Sequence, residues 1–225
     1  PCFNEGDNIP ILINNLKKVF KDNKHEVIIV NNGSTDQTKD LIEDLIATNS
    51  NFKVVHISEN IGYGNGILKG LEIATGEILG WTHADLQTDP LDALKGLKSF
   101  EKEDKKIFVK GLRKGRSMLD KSFTFFMSLF ELFILGKYMR DINAQPTLFS
   151  RALLEKWKNP PIDFSLDLYA YYIALKYNYR ISRFPVKFPK RIYGISKWNY
   201  SFTSKIKFIK RTIKFSMELK KRFKK

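Results

Sequence analysis

Apolar residues along this chain alternate between two rhythms. HEVIIV (25–30) is a short continuous apolar run, as expected of a parallel strand buried on both faces, and Phe52–Ile57 is a second. Between and before them, helical stripes recur at three- and four-residue spacing. Ile11, Leu12, Leu16, Val19 and Phe20 form the first, with Asp7 or Asn8 as its cap and Pro10 in its first turn. Leu41, Ile42, Leu45 and Ile46 form the next, after a turn at NNGSTDQT. NIGYGNGILKG (60–70) reads as a glycine-rich turn entering a helix, and EILGW (77–81) as a strand ending in an acidic loop, ADLQTDP. A helix over 91–100, a strand over 106–111, an amphipathic helix over 163–177 and a strand over 180–186 follow. Strands alternating with helices at this spacing predict βαβ units: an α/β fold with a mostly parallel sheet flanked by helices.

Two stretches break the rhythm. FTFFMSLFELFIL (123–135) is very apolar, yet too short to span a bilayer and interrupted by Glu131. It reads either as a core helix or as a lipid-facing one. The tail over 201–225 holds ten Lys or Arg against one Glu, Glu218, and so carries nine of the chain's net +15 charges. Phe202, Ile206, Ile209, Ile213 and Met217 recur there as one stripe, with Lys207, Lys210, Arg211, Lys214 and Lys221 opposite. That is the pattern of an amphipathic basic helix on anionic lipid, or of a helix packed on the domain with a solvated basic face. The division expected is a domain over 1–198 and a tail helix over 199–225.

Composition changes the picture in three ways. At 225 residues, 43% hydrophobic and 28% charged, the chain is globular and large enough for a full core. One cysteine, Cys2, excludes a disulfide framework and fits a reducing compartment, and three histidines with it leave no structural zinc cluster. The positive charge points to an anionic partner: nucleic acid, a phosphorylated substrate or a membrane surface. No helix-turn-helix, RNP or zinc pattern accompanies it, so a nucleic-acid-binding role is the weaker alternative. The opening PCFNEG, without an initiator Met, reads as the end of a strand whose body lies upstream.

The chemistry-bearing residues cluster after strands. In open α/β sheets ligands bind outside the carboxyl ends of parallel strands, so PCFNEG, VNNGSTD and the acidic loop are expected to share one pocket. Asn4, Glu5, Asn31, Asn32 and Ser34 offer hydrogen-bonding groups for a base and ribose. Asp85, Gln87 and Asp89 are hard oxygen ligands whose spacing suits Mg²⁺ or Mn²⁺ bridging two phosphates, the alternative being a loop whose Asp residues cap the next helix. Asp89, before Pro90, is expected to cap the next helix. Gly62, Gly64 and Gly66 allow close backbone approach or left-handed turns, without the pattern of a P-loop.

The ordered set PCFNE, VNNGSTD, NIGYGNG, ADLQTDP, QPTLFSR and RIYGISK resembles the family-2 glycosyltransferases over about residues 1–198. Within them it is similar to the polyprenyl-phosphate sugar synthases of the dolichyl-phosphate mannose and glucose type. The resemblance implies a GT-A fold, hexosyl transfer with inversion from a nucleotide-sugar donor (UDP- or GDP-linked), and a divalent metal, Mg²⁺ or Mn²⁺. Pro1, Asn4 and Glu5 match the donor-binding first motif. Asn31 and Asn32 stand where the family has two Asp, and Ser34, Gly62 and Asp85 complete the implied donor set. His83 replaces the first Asp of the family's Asp-Ala-Asp, so Asp85, Gln87 and His83 are the implied metal residues. Asp167 and Asp141 are the carboxylates implied for catalysis, the alternative for Asp167 being to cap or solvate its helix. Arg191, Ser196 and Lys197 match a phosphate-gripping loop, with Arg113 and Arg116 as further cations beside a solvated-surface alternative. The expected acceptor is a polyprenyl phosphate or other glycolipid at the cytoplasmic face of the cell membrane, held peripherally on an anionic surface. The alternative within the class is extension of a cell-surface glycan.

Overall fold

The computed structural model describes residues 1–22, 24–100, 105–189, 191 and 202–223. Strands β1 (Val27–Asn32) and β2 (Phe52–Ile57) pair in parallel, with Val27 opposite Phe52 and Asn32 opposite Ile57. The opening residues line the other edge of β1. The Cys2 amide donates to Val30 O at 2.8 Å and the Asn32 amide to Cys2 O at 2.9 Å. Helix α1 (Ile9–Val19) follows the first of these segments and α2 (Thr38–Ile46) the second. Ile9, Leu12, Ile13 and Leu16 form the buried stripe of α1. Ile11, expected in that stripe, is exposed instead, because Ile9 and Ile13 lie a turn apart on the face that meets the core.

A second hydrogen-bonded sheet has the order β3 (Ile78–Trp81), β5 (Thr147–Ser150), β4 (Ile107–Lys114), β6 (Arg180–Lys187). β4 and β6 are parallel along eight residues, whereas β5 runs antiparallel to both β3 and β4. The parallel expectation therefore holds for β1–β2 and β4–β6 and gives way at β5. That strand is four residues between Pro146 and Arg151, too short for a period to show in the sequence. Helix α3 (Tyr63–Ile73) packs on β1, β2 and β3 and so bridges the two sheets. α4 (Leu91–Leu97) lies on β4 and β5, and the single turn α6 (Arg151–Leu154) follows β5 directly.

The glycines before α3 serve packing. A Cβ on Gly64 would stand 2.6 Å from Asp163 O, and the Asn65 amide donates to Ile162 O at 2.8 Å. The close approach these glycines permit is thus made by the 161–163 backbone. That segment leads into α7 (Leu166–Lys176), whose residues 166–174 are all buried. α7 is not the amphipathic helix its sequence suggested. It is a core helix, with Tyr169 edge-on to Trp157 at 5.6 Å and its hydroxyl accepting from the Lys158 amide at 2.7 Å.

Helices α5 (Met118–Leu135) and α8 (Phe202–Phe223) pack on one another. α5 starts at Ser117, whose Oγ accepts from the Asp120 amide at 3.1 Å, and stops at Gly136, left-handed at φ 66°. Only Ser128 and Glu131 of α5 are buried. On α8 the buried residues are Phe215, Ser216 and Leu219, one helical step round from the stripe expected to face lipid. Phe215 and Leu219 belong to the main core with Phe108, Phe149 and Tyr169, so the tail is stitched into the domain.

Between the two helices, Glu131 Oε1 and Thr212 O both stand near the Ser216 hydroxyl, at 2.8 and 2.9 Å, and Glu131 Oε2 has no partner. A single hydroxyl proton cannot serve both acceptors, but a protonated Glu131 can donate to Ser216 and free it for Thr212. Burial accordingly raises the Glu131 pKa to about 7, against the hydrogen bond from Ser216. With its folded pKa above the unfolded one, the residue's contribution is complete below the unfolded value and is lost as pH rises through about 7. Glu131→Gln is therefore expected to raise the melting temperature at pH 8, by an effect of about 2–3 kcal/mol, and to change little at pH 4.5. Thermal melts of both proteins across that range check it.

Candidate functional site

The first two strand-end loops are knitted together by short polar contacts. The Asn4 amide donates to Ser34 Oγ at 3.0 Å, and the Thr35 amide returns to Asn4 Oδ1 at 2.9 Å. The Glu5 amide donates to Thr38 Oγ1 at 2.9 Å, and the Gly6 amide to Asp36 Oδ2 at 3.1 Å. Asn4 is left-handed, φ 53°, which lets the chain turn sharply from β1's edge toward α1. Burial raises the Glu5 pKa, opposed by a hydrogen bond from Asn8 and reinforced by the nearby Asp85 charge. Glu5 and Asp85 are thus within electrostatic reach: the acidic loop has joined the other two.

Asn31 and Asn32 are both buried at the end of β1. Asn31 Oδ1 accepts from the Ser34 amide at 3.1 Å, and its Nδ2 lies 3.2 Å from His56 Nδ1. Asn32 Nδ2 donates to Gly62 O at 3.0 Å and to Asn60 Oδ1 at 3.2 Å, while Asn32 Oδ1 is buried with no partner. Pro1 and Asn32 both crowd Gly66 of α3, where an added Cβ would lie 2.9 Å from Pro1 Cβ. Pro1, Asn4, Glu5, Asn32, Ser34 and Gly62 are therefore neighbours, as the sequence pattern expected.

The acidic loop owes its conformation to alternation. Ala84 and Leu86 pack on the core formed by α1, α2 and β1, so Asp85 and Gln87 between and after them turn the other way. Asp85 Oδ1 accepts from the Gln87 amide at 3.1 Å, and Oδ2 lies 2.7 Å from the Arg191 guanidinium. Arg191 Nε also donates to Gln87 Oε1 at 3.1 Å, while Gln87 Nε2 donates to Pro189 O at 2.9 Å. Arg191 thus spans both oxygen donors of the loop. Asp89 does cap the next helix: its Oδ1 accepts from the Leu91 amide at 2.9 Å. Ser196 and Lys197 lie outside the described residues.

His83 sits with its ring 5.7 Å from Tyr63. Burial pulls its pKa below the ordinary histidine value, against the raising effect of Asp85 and Asp167, so the ring is neutral at pH 7. Among the described residues no three His, Cys, Asp or Glu side chains gather as a metal site. The donor set that does exist, one carboxylate and one amide oxygen, suits a hard divalent ion that takes its remaining ligands from phosphates.

Two further carboxylates lie in buried networks. Asp167 is 2% exposed and its Oδ1 accepts from Lys110 Nζ at 3.0 Å and from Gln145 Nε2 at 2.9 Å. Lys110, wholly buried in β4, also donates to Thr147 Oγ1 at 2.6 Å, and Gln145 Nε2 reaches the Tyr63 hydroxyl at 3.4 Å. Burial lowers the Lys110 pKa and Asp167 raises it back in part. Asp141 gathers three arginines: Arg113 by its amide (3.0 Å) and side chain, Arg116 at 3.4 Å and Arg183 at 4.0 Å. Burial alone would raise the Asp141 pKa, but the Arg113 charge and hydrogen bonds hold it below the ordinary value. The cluster is net cationic, and Arg116 also donates to Thr124 of α5 at 2.8 Å. Lys110, Gln145, Tyr63 and Arg183 escaped the sequence reading; the one visible signal was a lysine inside the apolar run IFVKG.

Two helix-flanked sheets of this order, with the loops after the opening segment, β1 and β3 brought together, form an α/β fold shared with the GT-A glycosyltransferases. The chain belongs to glycosyl transferase family 2, whose pattern matches residues 1–156. It is 35% identical over 121 residues to the putative glycosyltransferase CsbB of Bacillus subtilis, covering 53% of this chain and 37% of that protein. It is 31% identical over 93 residues to the undecaprenyl-phosphate 4-deoxy-4-formamido-L-arabinose transferase of Pseudomonas fluorescens, covering 40% of this chain and 27% of that one. The chain spans about a third of the length of these curated relatives. Among solved structures, glucosyl-3-phosphoglycerate synthase of Mycobacterium tuberculosis superposes with a TM-score of 0.74 at 14% identity, over 98% of this chain and 77% of that one. The mannosyltransferase PcManGT of Pyrobaculum calidifontis, solved with GDP-Man and Mn²⁺, gives 0.64 at 22% identity, over 86% of this chain and 56% of that one.

The buried pairs carry a clear expectation. Asp167→Asn leaves Lys110 charged and half-partnered in the core and is expected to destabilise by about 3–5 kcal/mol in urea unfolding. Replacing both, as Lys110→Met with Asp167→Leu, is expected to restore most of that loss, because well-packed apolar groups need no partner.

Proposed function

We propose that this chain is the catalytic domain of an inverting glycosyltransferase that moves a hexose from a UDP- or GDP-linked donor to a polyprenyl phosphate. The observation that carries the reading is the meeting of three strand-end loops around Glu5, Asn32 and Asp85, in a family-2 chain. Asn32 Oδ1, buried and unpartnered, is an acceptor for an N–H of the base. Asp85 and Gln87 would hold Mg²⁺ or Mn²⁺, which when bound neutralises the donor's diphosphate; in support, PcManGT carries Mn²⁺ beside GDP-Man. Arg191 releases Asp85 in that state and, with Ser196 and Lys197, grips phosphate oxygens of the leaving group.

The acceptor's phosphate would sit against the surplus cations around Asp141, Arg113, Arg116 and Arg183 among them. Asp141 orients that cluster, and a phosphate oxygen, ionised at pH 7, attacks the anomeric carbon without a strong base. Asp167 would matter as a base only for a hydroxyl acceptor, where proton removal joins the barrier. Its ion pair with Lys110 favours the phosphate acceptor, as does the relative that acts on undecaprenyl phosphate. The acceptor lipid places the chain at the inner face of the cell membrane.

The test pairs donor binding with product extraction. Nucleotide sugars with Mn²⁺ are expected to raise the melting temperature, and the radiolabelled product with a polyprenyl phosphate is expected to pass into organic solvent. Asp85→Ala is expected to keep the fold and lose at least about a hundredfold in turnover. A water-soluble glycan product would overturn the acceptor, and full activity of Asp85→Ala would overturn the site.

A further inference from the structure

A line of polar contacts enters the strand-end loops from outside them. It starts at Glu43 on α2, passes through His56 on β2 to Asn31 on β1, and ends at Ser34. His56 and Asn31 are register partners in the parallel pair, one residue before both strands end. Glu43 Oε1 lies 3.1 Å from His56 Nε2, and Asn31 Nδ2 lies 3.2 Å from His56 Nδ1. Asn31 is 3% exposed, so its carboxamide finds its partners inside the protein.

One fixed donor sets the direction of every contact in the line. The Ser34 amide can only donate, so the Asn31 atom 3.1 Å from it is the oxygen. The carboxamide nitrogen then faces His56 Nδ1, which must accept and so carries no proton. The ring proton is on Nε2, where Glu43 accepts it. Glu43 thus selects the tautomer, the tautomer orients Asn31, and Asn31 closes the turn over 31–34. Around that turn stand residues of the candidate site. Gly33 is left-handed, φ 73°, and an added Cβ there would strike the backbone of Glu59 and Asn60. Ser34 Oγ accepts from the Asn4 amide, and Asn32, whose Oδ1 is buried without a partner, lies within the turn. An Asn31 carboxamide turned over would set its N–H groups against the Ser34 N–H and its oxygen against a bare ring nitrogen, losing both contacts at once. A carboxylate, which the family resemblance leads one to expect at this position, accepts with either oxygen and needs no such guide.

We propose that His56, oriented by Glu43, is a positioning residue for donor binding: through the Asn31 carboxamide it holds the 31–34 turn in the shape that receives the donor's nucleoside. This role rests on the reading of those loops as the donor site. Two readouts test it, and the first needs no ligand. The ring nitrogens are followed by NMR, with His56 assigned as the one of the three histidines whose signals vanish in His56→Asn. The parent ring is expected to be protonated on Nε2 and bare on Nδ1. Binding of UDP and of GDP, each with Mn²⁺, is then measured by calorimetry, and the tighter of the two is carried through the variants. His56→Leu keeps bulk but removes the acceptor, and is expected to raise the Kd at least about tenfold. His56→Asn, whose carboxamide oxygen can stand where Nδ1 stood, is expected to recover most of that loss, which a role in packing alone would not give. Glu43→Ala, at a half-exposed position, is expected to weaken binding about threefold with the melting temperature held. A parent ring protonated on Nδ1, a His56→Asn variant that binds no better than His56→Leu, or a His56→Leu variant that binds like the parent overturns the proposal. Should His56→Leu not fold, a Glu43→Ala variant that binds like the parent does the same. Each of these outcomes leaves the donor site standing, whereas a parent that binds neither nucleotide overturns the donor reading and this role with it.

Discussion

A lysine and an aspartate buried against one another organise the interior of this domain. Lys110 comes from the middle of β4 and Asp167 from the first turn of α7, both almost fully buried. Neither charge is tolerable alone at that depth, so each fixes the position of the other. Gln145 and Thr147, leading into β5, complete the hydrogen bonds, and Gln145 reaches Tyr63 at the head of α3. One ion pair thereby ties the sheet, the core helix and the helix that bridges the sheets. Because Tyr63 also flanks His83, the same network ends at the base of the acidic loop.

The candidate site was legible where its chemistry is local and opaque where it depends on packing. Asn4, Glu5, Asn32 and Ser34 follow neighbouring chain segments of one sheet, and Asp85, after a strand of the other, is brought to them by the packing of Ala84 and Leu86. The alternation Ala84, Asp85, Leu86, Gln87 carries its own orientation, since the two apolar members have a core to enter. By contrast, nothing near Asp141 in sequence shows that arginines 25 to 42 residues away converge on it. Asp167 is paired with a lysine from another element, a partner that nothing beside it in the sequence announces.

The two end helices show why period alone misleads. Both α5 and α8 have apolar residues on more than one face, so a stripe can be drawn through each in several ways. On α8 the isoleucine stripe was drawn, but Phe215 and Leu219 won the core, because their faces meet α5 and the aromatic cluster of α7. α7 itself, apolar on every face apart from the paired Asp167, is buried through residues 166–174, the outcome expected when a helix has no polar stripe to expose. α5 is the reverse: the residues it turns inward, Thr124, Ser128 and Glu131, are polar. That inversion is stable only with partners for those residues, and Arg116 and Ser216 are the partners.

The position of Arg191 bears on how the site handles charge. A guanidinium against Asp85 Oδ2 and Gln87 Oε1 supplies, within the chain, the cationic counterpart that a divalent ion supplies beside a diphosphate. Both cannot hold the same oxygens. The family's loop has two aspartates, and here the first is His83, neutral and set against Tyr63, so one carboxylate must serve either cation. A single carboxylate binds a metal more weakly than two, and an arginine competes with it on more equal terms. In the proposed reading a donor diphosphate would tip that balance, by offering the metal further oxygens and Arg191 a new anionic partner. On that reading metal and donor would bind together, with Arg191 passing from the carboxylate to the phosphate.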